Sequence, residues 1–175
     1  MLIANYLLLA LGVMGGIDIL LYHSISHGIR THAESRWELV THAMRGPTYT
    51  ILFLVVPNFE TRGVWALLMA LLLIFDVGIS VADFWLERRS RAELGGLPSG
   101  EYVLHMIMAM LFGAFVMAAS PSLLEWMAQP TALVATGAHA ASGLRMILAI
   151  FAAGVLWSGA MDLRAALHEA DPRAI

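Results

Sequence analysis

The segment GVWALLMALLLIFDVGISVADFWLE, residues 63–87, decides the fold class of this chain. About 20 consecutive apolar residues form an α-helix that can cross the hydrocarbon core of a bilayer, and this segment meets that length. Its polar residues recur at the helical spacing i, i+4, i+7 and i+11, and they are Asp76, Ser80, Asp83 and Glu87. The pattern predicts a membrane-crossing helix with one polar stripe turned toward other helices.

Four more segments have a similar composition, at about residues 2–27, 35–56, 98–120 and 143–167. Of the 175 residues, 59% are hydrophobic and only 13% are charged, too few to cover the surface of a soluble globule. We predict an all-α integral membrane protein that forms a single transmembrane helical domain over residues 1–175. It would be a bundle of about five transmembrane helices, four of them around a polar core.

Glycines, prolines and one capping pattern predict where these helices begin and end. Gly28 ends the first helix, and Ser35-x-x-Glu38 is a capping box that opens the second. Gly46-Pro47 predicts a kink and Pro57-Asn58 a tight turn. Pro121 is expected to interrupt the fourth helix, leaving a short amphipathic piece at 123–127, anchored by Trp126. Residues 88–100 and 130–142 are predicted loops.

The second segment is the least apolar, because Glu38, His42 and Arg45 lie in its first half. It either crosses the membrane or forms a shorter re-entrant or interfacial helix. Five crossings explain the apolar stretch 51–56 better.

The arginines are distributed unevenly between the two sides of the predicted bundle. The side with residues 28–35, 88–100 and the C-terminus carries Arg30, Arg36, Arg88, Arg89, Arg91, Arg164 and Arg173, whereas Arg62 and Arg145 lie near the other side. Cytoplasmic segments are enriched in arginine. We therefore predict a multi-pass protein of the inner (cytoplasmic) membrane, with its N-terminus outside and its C-terminus in the cytoplasm.

Acidic and imidazole side chains recur at the helix ends on that same side. Glu38/His42 and Glu101/His105 share a spacing of four residues, as does His23/His27, and residues four apart face the same way on a helix. With a rise of about 1.5 Å per residue, His23, His42, Asp83 and His105 lie at similar depth. These side chains are expected to converge just beneath one face of the bilayer.

Neutral imidazoles with carboxylates are the ligand set of zinc and non-haem iron. We predict two divalent metal ions, iron in preference to zinc, with ligands drawn from Glu38, His42, Glu101, His105, Asp83, His23, His27 and Asp76. Asp76 is also a candidate hydrogen-bond acceptor or proton relay. Supporting roles fall to Arg45, Asp18 and Ser80, and Arg45 is expected to pair with Asp76 or Asp18. Asp18 points roughly opposite His27 on an α-helix, so we expect it to belong to this charge pair and not to the metal site. The four-residue spacing differs from the Glu-x-x-His pattern of soluble carboxylate bundles, so that template does not transfer.

These residues favour a membrane-embedded dinuclear metal protein, an oxidoreductase for a lipid, a quinone or another apolar small molecule. Zinc would instead support hydrolysis. Other hypotheses are a b-type haem electron carrier using His42 with His105 or His23, and a proton- or ion-conducting protein using Asp18, Arg45, Asp76 and Asp83. The chain would also suit a homo-oligomer or an accessory subunit of a larger membrane complex. The absence of cysteine excludes iron–sulfur and thiolate sites, and no basic stripe suggests nucleic acid.

Overall fold

The computed structural model describes residues 1–26, 28–92, 95–135 and 140–168. Within these ranges lie five α-helices, α1 Leu2–Asp18, α2 Arg36–Val55, α3 Val64–Ser90, α4 Ser99–Met127 and α5 Ser142–His168. A π-helical segment, Ile19–Ser26, extends α1, and two 3-10 turns, Ile29–Thr31 and Ala33–Ser35, lead to α2. Strands β1 Phe59–Arg62 and β2 Ala132–Ala135 pair antiparallel. The predicted all-helical bundle is confirmed, with this small sheet added.

Four helical segments of the described chain are long and apolar enough to cross a membrane, namely 2–26, 64–90, 99–127 and 142–168. Helix α2 has 20 residues but does not join them, because Glu38, His42 and Arg45 lower its hydropathy. The structure therefore offers four candidate spans where the sequence predicted five. Helix α2 packs closely on α5, since Gly46 and Gly159 are so near that a Cβ on Gly46 would lie 3.3 Å from the Gly159 Cα.

The interior of the bundle is divided along its length. One end, next to the small sheet, is filled by apolar side chains such as Leu8, Leu52, Ala66, Phe115 and Leu148. The opposite end, where α2 and α4 begin and α1, α3 and α5 finish, buries acidic, imidazole and guanidinium groups. We call this second region the polar end.

Several predicted helix boundaries were wrong. Helix α4 runs through Pro121 to Met127, and Trp126 is buried in the apolar core and does not form an interfacial anchor. A proline inside a helix removes one backbone hydrogen bond, and neighbouring groups can compensate for that loss. Pro47 also lies inside a continuous helix, α2, and the kink expected at Gly46-Pro47 stays a prediction.

The predicted loop 130–142 contains β2, which pairs with β1 from Phe59 opposite Ala135 to Arg62 opposite Ala132. Four-residue strands are too short for a periodic signal in the sequence. The predicted end of the first helix is confirmed, because Gly28 has a left-handed backbone with φ of 56°.

Candidate metal centre

Two imidazoles and two carboxylates meet at the polar end. Asp18 and His23 come from α1 and its π-helical extension, and Glu101 and His105 come from the first turns of α4. One ligand atom of each lies within 4.8 Å of the ligand atoms of the other three, and all four residues are buried. We call these residues the first ligand group. Two nitrogen and two oxygen donors at this spacing could hold a metal ion.

The π-helix brings Asp18 and His23 together. In an α-helix, residues five apart point about 140° away from each other, whereas a π-helix closes i→i+5 bonds and stacks such residues. The His23 Nε2 atom lies 3.3 Å from Asp18 Oδ2, and the hydroxyl of Ser24 donates to the Ile19 carbonyl across the same five-residue step. The α-helical spacing had separated Asp18 from the site. His27, the predicted partner of His23, lies outside the described residues.

His105 is held between two carboxylates. Its Nε2 lies 3.1 Å from Asp18 Oδ2, and its Nδ1 lies 3.0 Å from Glu87 Oε1 on α3. A carboxylate behind a ligand imidazole fixes the orientation of the ring. Glu87 was not among the predicted site residues, although it continues the polar stripe of α3 four residues after Asp83 and could have been found by that signal.

A second ligand group consists of His23, Glu38 and His42, whose ligand atoms also lie within 4.8 Å of one another. The rings of His23 and His42 stack, with centroids 4.5 Å apart and planes inclined by 4°. The His42 Nε2 atom lies 3.4 Å from Asp83 Oδ1. His23 therefore belongs to both groups.

Asp83 lies behind His42 and outside both ligand groups. Its carboxylate accepts hydrogen bonds from Thr41 Oγ1 at 2.6 Å and from Arg45 Nη1 at 2.8 Å. A second nitrogen of Arg45 donates to Ser80 Oγ at 2.8 Å. The expected pairing of Arg45 with Asp76 or Asp18 is thus replaced by pairing with Asp83. This arrangement suits Asp83 to orienting His42.

Arg91 joins the two ligand groups. Its fully buried guanidinium donates from Nη1 to Glu38 Oε2 at 2.8 Å and from Nη2 to Glu101 Oε1 at 2.7 Å. Burial lowers the pKa of Arg91, but the hydrogen bond to Glu101 and the charge of Glu38 raise it more, so the pKa lies above its ordinary value. Arg91 remains a cation that holds both glutamates in place.

The predicted polar loop at 88–100 and the predicted capping box are both corrected at this point. Helix α3 continues to Ser90, which carries Arg91 into the interior. Ser35 makes no side-chain cap of α2 and instead accepts a hydrogen bond from Ser90 Oγ at 2.8 Å, while Glu38 binds Arg91. The side chains of Ser35 and Glu38 therefore bind residues at the end of α3 and just after it, and they do not cap α2.

Asp76 is buried deeper in the bundle, apart from both ligand groups. The Tyr49 hydroxyl donates to its Oδ2 at 3.4 Å, and no hydrogen-bond partner for its Oδ1 lies among the described residues. Within the same part of the chain, the buried Asp18 Oδ1 also lacks a hydrogen-bond partner, and His23 Nε2, although it lies 3.3 Å from Asp18 Oδ2, is not aligned for a hydrogen bond. Unpaired buried polar atoms are costly. Those of Asp18 and His23 lie where a cation would bind the first ligand group.

No family model, no curated protein and no solved structure matches this chain. The chemistry of the buried centre therefore carries the functional argument.

Proposed function

We propose that this protein is an integral membrane metalloprotein that uses non-haem iron to oxidise an apolar molecule dissolved in the bilayer. The single observation that carries the proposal is the first ligand group, in which Asp18, His23, Glu101 and His105 bring ligand atoms within 4.8 Å of one another. Buried ionisable groups inside membrane-spanning helices are costly and usually functional.

Membrane insertion is supported by the four apolar helices and by aromatic residues at both ends of the bundle. Trp37, Trp85 and Tyr102 are exposed near the polar end, and Tyr6 and Trp65 are exposed near the opposite end. Such aromatic belts mark the two interfaces of a bilayer. The excess of arginines on the helix ends of the polar end favours placing it at the cytoplasmic face of the inner membrane, with the N-terminus outside.

The charges around the centre favour binding of cations. Among the described residues, six carboxylates are buried there, those of Asp18, Glu38, Asp83, Glu87, Glu101 and Asp162, beside three guanidinium groups, those of Arg30, Arg45 and Arg91. With neutral imidazoles, one divalent ion would leave a single excess negative charge and two ions a single excess positive charge. The first ion would bind the first ligand group. A second would depend on Glu38 and His42.

Iron would supply one-electron chemistry with dioxygen as the oxidant, and the protein supplies binding and position. Glu87 and Asp83 fix the rings of His105 and His42, and Arg91 fixes Glu38 and Glu101. Because the centre lies near helix ends, a lipid or a quinol could bring its polar head to the metal while its apolar part stays in the bilayer. Zinc at the same ligands would activate water for hydrolysis instead.

The geometry disfavours one alternative, a haem protein, and favours another, a proton path. A haem between His23 and His42 is disfavoured, because their rings already stack at 4.5 Å, and both nitrogens of His105 face carboxylates. A proton path is the second candidate function. It is favoured by Asp76, which is 1% exposed and lies in the middle of α3 beside Tyr49.

The first test is the metal content of protein purified in mild detergent without added metal or chelator, measured beside its visible spectrum. One or two irons per chain without a Soret band are expected. His105→Ala and His23→Ala should lose the metal while remaining folded, and His32→Ala, outside both groups, should keep it. Oxygen uptake with a quinol or an unsaturated lipid then tests the oxidase activity.

Zinc in place of iron would redirect the search to hydrolysis. Folded protein that contains no metal and takes up none would refute the proposal and favour a proton path or a metal-free subunit of a larger complex.

A further inference from the structure

An open groove of about 370 Å³ lies at the polar end beside α5, and its lining residues belong to neither ligand group. The groove is lined by Arg30, Thr31, Met161, Arg164, Ala165 and His168. The four residues from α5 follow the spacing i, i+3, i+4 and i+7 and so form one stripe of the helix. The 3-10 turn Ile29–Thr31 provides the facing wall.

This facing wall is fixed by both apolar and polar contacts. Ile29 is fully buried and packs with Leu39 and Ala166. The Arg30 Nε atom donates to Asp162 Oδ1 at 2.6 Å and its Nη2 atom to Ser158 Oγ at 2.8 Å, while 31% of the Arg30 side chain stays exposed. The groove therefore has a defined shape.

The groove is basic at its rim and apolar at its floor. Asp162 balances the charge of Arg30, whereas Arg164 is exposed and makes no ion pair within the described part of the chain. His168 lies one turn further on, and Met161 and Ala165 are half-buried. A phosphate would fit next to the exposed Arg164, and the glycerol backbone attached to it would lie over the half-buried Met161 and Ala165.

The length of α5 places the groove at the level of lipid headgroups. Its 27 residues extend over roughly 40 Å, more than the roughly 30 Å of the hydrocarbon core. If the opposite end of α5 lies at the outer interface, its last two turns project among the headgroups of the inner leaflet. This step rests on the membrane insertion argued under the proposed function, and does not require the metal.

We propose that this groove binds the phosphate of an anionic phospholipid of the cytoplasmic leaflet. Basic pockets at this level recognise such headgroups, and each arginine near the surface contributes appreciably to the binding. The C-terminal carbonyls of α5 carry a partial negative charge that opposes an anion. The binding is therefore modest and depends on Arg164.

The test compares phosphatidylglycerol with phosphatidylcholine bound to the purified full chain, by native mass spectrometry from detergent. Wild type should retain phosphatidylglycerol preferentially. Arg164→Gln should weaken its apparent affinity about fivefold and leave phosphatidylcholine unchanged. Arg88→Gln is the matched control, because it removes one exposed arginine from the same end of the bundle.

An equal loss of phosphatidylglycerol affinity in Arg164→Gln and Arg88→Gln would overturn the proposal, and would indicate diffuse attraction of the lipid to the arginines of the polar end. Displacement of the lipid by millimolar inorganic phosphate would overturn it in favour of a site for free phosphate. Metal content is measured in the same samples, and it should be identical in all three proteins. A failure of the groove is then distinguishable from a failure of the metal centre.

Discussion

Replacing Arg91 by Met tests whether the polar end is held together by a buried cation. The substitution removes the two guanidinium nitrogens that lie 2.8 Å from Glu38 Oε2 and 2.7 Å from Glu101 Oε1. Both carboxylates stay buried without that cation. Removing one partner of a buried ion pair costs about 3–5 kcal/mol, and here two carboxylates lose the same cation. We expect a loss near the upper end of that range, which lowers the thermal midpoint by about 10 °C or more for a chain of this size.

The assay is thermal unfolding of metal-free protein in one detergent, followed by circular dichroism. Arg88→Met, at an exposed position, should change stability by less than about 0.5 kcal/mol. The triple variant Arg91→Met, Glu38→Gln and Glu101→Gln removes all three charges and should recover most of the loss. Metal content should nevertheless fall in the triple variant, since both glutamates belong to the ligand groups.

The pH dependence has a definite sign. The pKa of Arg91 is raised, so its contribution is present below the ordinary value and is lost only as the pH rises through the folded value. The contribution of the Arg91 cation to wild-type stability should therefore be undiminished between pH 7 and pH 9. Wild-type stability in Arg91→Met, or failure of the triple variant to recover, would refute the pairing.

Three further perturbations test other contacts. Gly46→Leu should destabilise the fold by about 1–3 kcal/mol, because its Cβ would meet the Gly159 Cα at 3.3 Å. Gly113→Leu is the matched control for thermal unfolding, because a Cβ at Gly113 would meet no atom of another described helix within 4 Å. Equal midpoints of the two variants would contradict the close approach of α2 and α5. Asp83→Asn should weaken metal binding about 10–100-fold without abolishing it, as measured by metal titration, and complete loss would make Asp83 a ligand. Arg30→Asp or Asp162→Arg alone should lower the free energy of unfolding by about 1–2 kcal/mol. The double variant, in which the two charges are exchanged, should recover much of that loss. An equal loss of stability in all three variants would show that the ion pair contributes nothing specific.

The apolar segments predicted the helices because hydropathy and length report directly on burial. The convergence of His23, Glu38, His42, Glu101 and His105 also followed from helix spacing and depth. Two features of the site were not accessible in this way. A π-helical turn changes the angular step, so Asp18 was assigned to the wrong face. Arg91 follows an arginine-rich helix end that is typical of solvated loops, and only its tertiary partners show that it is buried.

The membership of His23 in both ligand groups has a consequence for stoichiometry. A neutral imidazole has only one unprotonated ring nitrogen and can serve only one ion. An ion at the first ligand group would therefore deprive the second group of a donor and leave it Glu38 and His42. Repulsion between two cations in one buried site acts in the same direction. Successive ions should therefore bind with negative cooperativity, and a metal titration should show two separate phases. Protein isolated from a metal-poor medium would then carry a single ion, held by the π-helical turn of α1 and the first turns of α4.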